Sequence, residues 1–361
     1  MNCDYFGKCG SCKLYPDYDE QLSFKVEKFG ELFGQKPQVF PSPQSHFRAR
    51  GEFGIWHKEG ISYTMYGRDG GRVEIDRCPI MLEPIFEVMP KLIQSLKDEI
   101  LFEKLFRIDF LSGLKGETLA TLVYHKRLEN RWEEAANEMA EALGIHIIGR
   151  SRGQKVVLGQ DYITEELLIE GKSFRYRHYE GSFTQPNPFV NIKMIEWALK
   201  QSEDFGGDLL ELYCGAGNFT LPLAQNFGKV LATEVSKSSI KAAKENRAMN
   251  GIENVEFMRL SAEEVSEALR GERTFRRLQG IDLKSYDFHT VFVDPPRCGL
   301  DAATREVVKE FEHIIYISCN PQTLKRDVEE LSATHEIAAL AAFDQFPYTH
   351  HLEGGVVLVR R

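Results

Sequence analysis

The segment DLLELYCGAGNFT, residues 208–220, runs from a short apolar stretch into a turn that contains Gly215 and Gly217. Such a turn lets the backbone pass close to a ligand while the next helix begins beneath it. A dinucleotide-binding fingerprint has a third glycine where this chain has Thr220. The segment therefore predicts the first strand of a nucleotide-type fold and an adenosyl ligand without a pyrophosphate, although a glycine turn also occurs as a plain connection.

Six further apolar segments follow, and helical patterns separate the first six of the seven. They read KVLATEV, VEFMRL, DFHTVFVD, HIIYISC, IAALAAFDQF and GGVVLVRR. Alternation of strand and helix predicts an α/β, doubly wound and mostly parallel sheet, and the final hairpin adds an antiparallel strand. Ligands of such sheets bind at the carboxyl ends of the strands, so polar residues just after each strand are candidate site residues.

Two acidic residues occupy such strand ends. Glu234 closes the second segment, and a carboxylate there can accept hydrogen bonds from both hydroxyls of a ribose. Asp294 closes the fourth segment and precedes Pro295 and Pro296, which fix the shape of the loop. Both positions are predicted to line the ligand site.

Cys319 follows the fifth segment and lies just before Pro321, a residue suited to the first turn of a helix. A helix N-terminus stabilises a thiolate, so we expect a lowered thiol pKa and a nucleophilic role for Cys319. Glu353 lies beside His350 and His351 between the last two segments. A metal site is one interpretation, but a catalytic metal needs three ligands at fixed spacing, and a general base is the simpler role for Glu353.

The first half of the chain has a different, α+β pattern. Apolar spacing predicts a helix over 18–33, and alternation predicts a β-hairpin over 47–67 with its turn at Lys58-Glu59-Gly60. Further strands are expected within 105–113 and 117–126, and further helices over 83–98 and 129–143.

Charge and composition narrow the function. The 361 residues carry a net charge of −9, which argues against a protein that coats nucleic acid through bulk charge. Residues 1–200 contribute only −2 and contain basic stretches at 48–77 and 150–177, so RNA would bind to this half. No signal peptide or apolar stretch of about 20 residues is present, which predicts a cytoplasmic protein with no membrane contact.

Taken together, LLELYCGAGNFTLPLA, VLATEV, FVDPPRCGLD, YISCNPQTL and FDQFPYTHHLEGGV resemble the RNA uracil-5-methyltransferases. Segments of the first half, among them SHFRARGEFGIWH, LFRIDFL and SFTQPN, resemble the tRNA (uracil-5-)-methyltransferases in particular. The resemblance implies a Rossmann-like class I S-adenosylmethionine-dependent methyltransferase domain over 179–361. It also implies an α+β RNA-recognition domain, with a cysteine-rich N-terminal segment, over 1–178.

The resemblance further implies an S-adenosylmethionine-dependent enzyme that forms 5-methyluridine at position 54 in the T-loop of tRNA. Cys319 matches the nucleophile of the family and Glu353 its base. Addition of a thiolate to C6 of uracil makes C5 nucleophilic, and a base must then remove the C5 proton, so these residue types suit the chemistry. The positions that match the cofactor-contacting residues are Gln185, Tyr213, Asn218, Glu234 and Asp294.

Other matches concern RNA and metal. Residues that match T-loop contacts of the tRNA enzymes are Glu52, Phe106 and His125, whereas Gly54 stands where that family has an arginine. Residues that resemble the [4Fe–4S] ligands of the related ribosomal-RNA enzymes are Cys3, Cys9, Cys12 and Cys78. Four thiolates suit an iron–sulfur cluster or zinc, and a metal-free segment is the third interpretation.

Three alternatives to a tRNA enzyme stay open at this point. The cysteines favour methylation of uracil in 23S ribosomal RNA by an iron–sulfur enzyme. A nicotinamide oxidoreductase would need the third glycine and has no use for Cys319. A non-catalytic RNA-binding module would need neither Cys319 nor Glu353. We expect a monomer that binds the T-arm of tRNA, with ribosomal RNA as a further substrate to be tested.

Overall fold

The computed structural model describes residues 1–58 and 60–361. Its strands are β1 (Gln38–Phe40), β2 (Arg50–His57), β3 (Ile61–Tyr66), β4 (Arg72–Ile75), β5 (Leu105–Ser112), β6 (Thr118–Tyr124), β7 (His146–Ser151), β8 (Gln154–Leu158), β9 (Tyr162–Ile169), β10 (Lys172–Tyr179), β11 (Asp208–Leu212), β12 (Val230–Thr233), β13 (Val255–Met258), β14 (Phe288–Val293), β15 (His313–Ser318), β16 (His335–Phe343) and β17 (Glu353–Arg360). Its α-helices are α1 (Tyr18–Phe33), α2 (Glu83–Ser95), α3 (Glu99–Phe102), α4 (Asn130–Leu143), α5 (Pro188–Ser202), α6 (Thr220–Leu223), α7 (Lys237–Met249), α8 (Ala262–Leu269), α9 (Ala302–Val308) and α10 (Pro321–Leu331).

The C-terminal part of the chain forms the predicted doubly wound sheet. The strand order is β1-β16-β17-β15-β14-β11-β12-β13, and β17 runs antiparallel to both of its neighbours. Strand β11 is buried along its whole length, as expected for a central strand that helices cover on both faces. All seven predicted strands are confirmed, and the last one is antiparallel as expected.

Strand β1 was not predicted, because the three residues between Pro37 and Pro41 carry no periodicity. Gln38–Phe40 pairs in parallel with the end of β16, and Phe40 stacks on Phe343 with 4.7 Å between the ring centroids. A proline on each side confines this strand to three residues, and its place at the edge of the sheet tolerates the missing donors. The N-terminal region therefore completes the C-terminal sheet.

A second sheet, of order β4-β3-β2-β5-β6-β7-β8, is built from residues 50–158. Its pairs are antiparallel except for β6 with β7, which α4 connects. Helices α2 and α4 cover one face, where Ile85, Leu92 and Trp132 are buried. The predicted strands β2, β3, β5 and β6 are confirmed, while the predicted turn residue Glu59 lies outside the described residues.

The hairpin of β9 and β10 lies between the two sheets. Strand β9 contacts β5 and β6 on one side and α5 on the other. The outer edge of β10 is covered by α7, because the Asn246 and Asn250 side chains accept hydrogen bonds from the backbone N–H groups of Arg177 and Arg175, at 2.8 and 2.9 Å. This pairing satisfies donors that an open strand edge would expose.

No helix in the described part of the chain is both long enough and apolar enough to span a membrane.

Glycine at position 354 allows the helices on one face to lie close to β17. A Cβ atom there would stand 2.8 Å from Leu324 Cδ2 on α10 and 2.9 Å from Phe29 Cε2 on α1. We therefore expect Gly354→Ala to lower the free energy of unfolding by about 1–3 kcal/mol, the usual cost of overpacking a core.

Gly30→Ala, within α1, is the matched control for this prediction. Its Cβ would make its nearest contact at 3.4 Å, and alanine is the better helix former, by up to about 1 kcal/mol. Urea denaturation of both variants and the wild type measures the difference. Equal stability of Gly354→Ala and wild type would contradict the packing described here.

Candidate active site

Three strand ends place the predicted chemical groups at one edge of the doubly wound sheet. Asp294 directly follows β14, Cys319 directly follows β15, and Glu353 is the first residue of β17. The antiparallel register pairs Ser318 with Gly354, which sets Cys319 beside Glu353 across the two strands. Both carboxylates act on the pKa of the Cys319 thiol, which also shows that the three groups are neighbours.

The glycine turn after β11 has the backbone that a close-approaching ligand requires. Tyr213, Gly215 and Gly217 all have positive φ angles, of 62°, 55° and 86°. Glu234, at the end of β12, accepts hydrogen bonds from the Gly215 N–H at 3.3 Å and from the Ser236 N–H at 2.8 Å. Hydrogen bonds therefore join the acidic residue to the glycine turn.

The Asn218 side chain is held in a fixed orientation beneath this turn. It exchanges two hydrogen bonds with Asn191 on α5, both of 2.8 Å. The Tyr176 hydroxyl donates to the Asn218 carbonyl oxygen at 3.1 Å. Helix α5 and strand β10 thus set the position of a residue on the turn.

A second polar chain runs from Gln345 through Gln185 to Asp294. Gln345 Nε2 donates to Gln185 Oε1 at 2.8 Å, and Gln185 Nε2 lies 3.4 Å from Asp294 Oδ2. Gln345 is 1% exposed, and its Oε1 has no hydrogen-bond partner among the residues that the structure describes. This chain of hydrogen bonds links the loop before β17 to the acidic end of β14, and Gln345 was not predicted as a site residue because its partner Gln185 is distant in sequence.

The carboxyl groups of this edge have raised pKa values. Burial raises the pKa of Asp294 to about 7. Burial, together with the negative charge of Asp294, raises the pKa of Glu353 well above its usual range. Glu211, on β11 beneath them, has a pKa raised to about 8 by burial. Proton transfer to and from carboxyl groups is therefore accessible near neutral pH.

The predicted low pKa of Cys319 is wrong. Burial and the negative charges of Glu353 and Asp294 raise the pKa of this thiol to about 11, against the weaker opposite effect of Arg297. The helix N-terminus that was expected to stabilise a thiolate is present, since α10 begins at Pro321 with Asn320 as its N-cap. Desolvation and two neighbouring carboxylates outweigh it.

The loop that leads to Glu353 is fastened by α1. The buried Lys25 forms an ion pair with Asp344 and donates to the carbonyl oxygens of Phe346 and His351, at 3.1 and 3.2 Å. Gln21 donates to the same carboxylate at 2.9 Å. Lys25 thus contacts three residues of the loop before β17 and holds them in place.

This anchor was not predicted, although the sequence carries a signal for it. Lys25 lies on the buried stripe of α1 together with Tyr18 and Phe29, a position where an apolar residue is the rule. A lysine on a buried stripe implies a buried acceptor, but its partner Asp344 is far along the chain.

The four N-terminal cysteines share one neighbourhood. Burial raises the pKa of Cys12 and of Cys78 to about 12, and the charges of Cys3 and Cys9 add to both shifts. Yet among residues 1–58 and 60–361 no group of three or more histidine, cysteine or acidic side chains could hold a metal ion. The structure therefore does not support the iron–sulfur cluster or zinc.

The predicted RNA-contacting residues lie on the second sheet. Phe106 is 49% exposed, and its ring centroid lies 4.7 Å from that of His125. Glu52 is exposed on β2 and lies 3.4 Å from the Arg107 guanidinium.

Gly54, where the resemblance implies an arginine, has little room for a side chain. A Cβ atom there would stand 2.9 Å from Thr64 Oγ1. Arg107 is its register partner on β5, so a guanidinium is present on the neighbouring strand.

The doubly wound sheet with one antiparallel strand, the glycine turn and the acidic end of β12 define a Rossmann-like S-adenosylmethionine-dependent methyltransferase fold. A family model described as tRNA (Uracil-5-)-methyltransferase matches residues 17–361. The chain belongs to the tRNA (uracil-5-)-methyltransferase family.

Individual relatives agree with this assignment. The chain is 63% identical over 362 residues to a tRNA/tmRNA (uracil-C(5))-methyltransferase of Nitratiruptor sp., with 100% of both chains covered. It is 52% identical over 369 residues to the protein of the same description from Sulfurimonas denitrificans, again with 100% of both covered.

A solved structure is also similar over nearly the whole chain. It is the Pyrococcus abyssi tRNA (uracil-54, C5)-methyltransferase in complex with S-adenosyl-L-homocysteine, with a TM-score of 0.74 and 26% identity. The match covers 95% of this chain and 84% of that chain.

The raised pKa of Cys319 predicts a pH-dependent reactivity. Because the thiolate is the reactive form, alkylation of Cys319 by iodoacetamide should accelerate about tenfold per pH unit between pH 7 and 10. Glu353→Gln removes a charge that raises this pKa, so Cys319 of the variant should react faster than that of the wild type at pH 9.

Peptide-resolved mass spectrometry measures these rates, and the exposed Cys298 serves as the internal reference for the reagent. Rapid alkylation of Cys319 at pH 7, or an unchanged rate in Glu353→Gln, would contradict the electrostatics described here.

Removal of the Lys25 amine leaves the Asp344 carboxylate buried without its cation. Lys25→Met should therefore lower the free energy of unfolding by about 3–5 kcal/mol, and addition of Asp344→Asn should restore part of that loss. Lys28→Met, on the exposed side of the same helix, should change it by less than about 0.5 kcal/mol. Denaturant unfolding compares the variants. Similar effects of Lys25→Met and Lys28→Met would show that the ion pair is not a stabilising anchor.

Proposed function

We propose that this chain transfers a methyl group from S-adenosylmethionine to C5 of a uridine in the T-loop of tRNA, at position 54. The observation that carries the proposal is the placement of a thiol and a carboxylate, Cys319 and Glu353, side by side on antiparallel strands at the edge where a doubly wound sheet binds its ligand. Methylation of C5 of uracil calls for a nucleophile that adds to C6 and a base that removes the C5 proton, and a thiol and a carboxylate can supply these.

Five residues around that edge are proposed to hold S-adenosylmethionine: Gln185, Tyr213, Asn218, Glu234 and Asp294. The glycine turn and the Glu234 carboxylate suit an adenosine, and the amide and acid groups of Gln185 and Asp294 suit a polar amino-acid tail. When bound, this cofactor supplies an electrophilic methyl group on a sulfonium.

Cys319 is proposed to activate the uracil ring. Its Sγ forms a bond to C6, the thiol proton leaves to solvent, and the electron pair moves to C5 through an enolate. C5 then takes the methyl group as the bond between methyl carbon and sulfur breaks. The covalent bond to Cys319 holds the ring in place during this transfer.

Glu353 is proposed to complete the reaction as the base. It removes the C5 proton, the electron pair re-forms the C5–C6 double bond, and the bond between C6 and Cys319 Sγ breaks. A buried carboxylate with a raised pKa is a stronger base than an exposed glutamate, which favours removal of a proton from carbon.

We assign RNA recognition to residues 1–178 and catalysis to residues 179–361. Helix α1 and strand β1 belong to the first region but pack against the sheet of the second, so the two regions share one structural unit at that point. Glu52, Phe106 and His125 are proposed to contact the T-loop, with Phe106 and His125 as a stacking surface for unpaired bases.

We infer tRNA rather than ribosomal RNA as the substrate, because the family match is to tRNA enzymes and the iron–sulfur site that favoured the ribosomal alternative is not supported. No step above uses a metal. We further propose that the enzyme acts as a monomer in the cytoplasm.

The mechanism predicts opposite behaviour for two variants. Cys319→Ala should lose at least about 10⁴-fold in kcat and form no covalent complex with tRNA. Glu353→Gln should transfer the methyl group but fail in elimination, so a covalent complex should accumulate that resists denaturing electrophoresis. Cys298→Ala, at an exposed cysteine, should keep wild-type activity and serves as the control.

Methyl transfer is measured with labelled S-adenosylmethionine and with purified tRNA and ribosomal RNA as separate substrates. The methylated nucleotide is then mapped. Turnover by Cys319→Ala would refute the mechanism, and methylation of ribosomal RNA alone would refute the proposed substrate.

A further inference from the structure

An open groove of about 830 Å³ lies at the carboxyl ends of β6 and β7. Its lining residues are Val123, Tyr124, His125, Lys126, Arg127, Arg150, Ser151, Arg152 and Gln154. Four of them are basic and none is acidic, on a chain whose net charge is −9. The groove is therefore a local positive surface on an acidic protein.

Two of the four basic side chains form no ion pair with an acidic side chain of residues 1–58 or 60–361. Arg150 is paired with Glu180 through bonds of 2.8 and 2.5 Å, and Lys126 lies 3.2 Å from Glu103. Arg127 and Arg152 are exposed and take part in no ion pair within the described part of the chain. These two guanidinium groups can bind an anion without first breaking an internal ion pair.

The backbone that carries Arg127 is held on both sides. The Leu128 N–H donates to Gln154 Oε1 at 3.0 Å, and Gln154 Nε2 donates to the Leu128 carbonyl at 3.2 Å. The Ser151 hydroxyl donates to the Lys126 carbonyl, and Lys126 Nζ donates to the Ile100 carbonyl at 2.8 Å. Residues 126–128 thus form a pre-organised segment, which lowers the entropic cost of binding.

The groove is continuous with the proposed base-stacking surface. His125 lines the groove and also packs against the ring of Phe106, which is half exposed. An RNA strand presents bases and phosphates side by side, so aromatic rings next to free guanidinium groups match its chemistry.

We propose that this groove binds the sugar–phosphate backbone of tRNA next to the nucleotides that contact Phe106 and His125, with Arg127 and Arg152 each neutralising a phosphate. The inference rests on the proposed function and adds to it the path of the RNA backbone. Phosphate contacts position a nucleic acid and contribute salt-dependent affinity, so the two arginines affect tRNA binding and not the chemical step.

The test measures methylation kinetics of Arg127→Gln, Arg152→Gln and the double variant at several salt concentrations. The double variant should raise the KM for tRNA about tenfold at low salt and lower the slope of log KM against log salt by about 1–2. The kcat at saturating tRNA and the KM for S-adenosylmethionine should stay within about twofold of wild type. The double variant with lysine at both positions keeps the charge and should recover most of the affinity.

Arg276→Gln is the matched control, because Arg276 is also exposed and without an ion pair in the described residues but belongs to the catalytic region. The groove proposal would be overturned if the double variant had an unchanged KM for tRNA, or if Arg276→Gln raised this KM as much as the double variant does. Neither result would affect the proposed function, provided that the wild type methylates tRNA. Absence of tRNA methylation by the wild type would instead refute the proposed function.

Discussion

The position of β17 between β15 and β16 is the constraint on which the site depends. Its antiparallel hydrogen bonds to both neighbours fix the register that sets Glu353 beside Cys319. Glycines at the start of the strand let the surrounding aromatic side chains approach, since a Cβ at Gly355 would meet Phe343 and Trp197 at 2.9 and 3.0 Å. The proposed base and nucleophile are therefore placed by backbone pairing, which is more precise than placement on a free loop.

The cost of this arrangement is electrostatic. Three acidic side chains, Glu211, Asp294 and Glu353, have pKa values raised mainly by burial, and two of them also oppose ionisation of Cys319. The raised pKa values make the carboxylates stronger bases, and the raised pKa of Cys319 leaves less of this thiol in its thiolate form. A cationic ligand beside Asp294 would reduce this repulsion and lower the pKa of the Cys319 thiol.

Much of the fold was predictable because its patterns are local. Strand and helix periodicity identified the doubly wound sheet, and the residues at the ends of β12, β14 and β15 follow from the rule that such sheets bind ligands there. Strand β1 was missed, since three residues between prolines carry no periodicity. The Lys25–Asp344 pair and Gln345 were missed because the interacting residues are distant in sequence. The predicted low pKa of Cys319 was wrong because burial of the thiol is a property of the assembled site.

The most direct measurement of the central claim is the position of the covalent link between protein and RNA. Glu353→Gln can be incubated with S-adenosylmethionine and tRNA, digested with protease and nuclease, and analysed by tandem mass spectrometry. The account predicts a methylated uridine attached to Cys319 Sγ and to no other cysteine. A link at another residue, or an unmethylated uridine on Cys319 as the stable product, would contradict the proposed pairing of nucleophile and base.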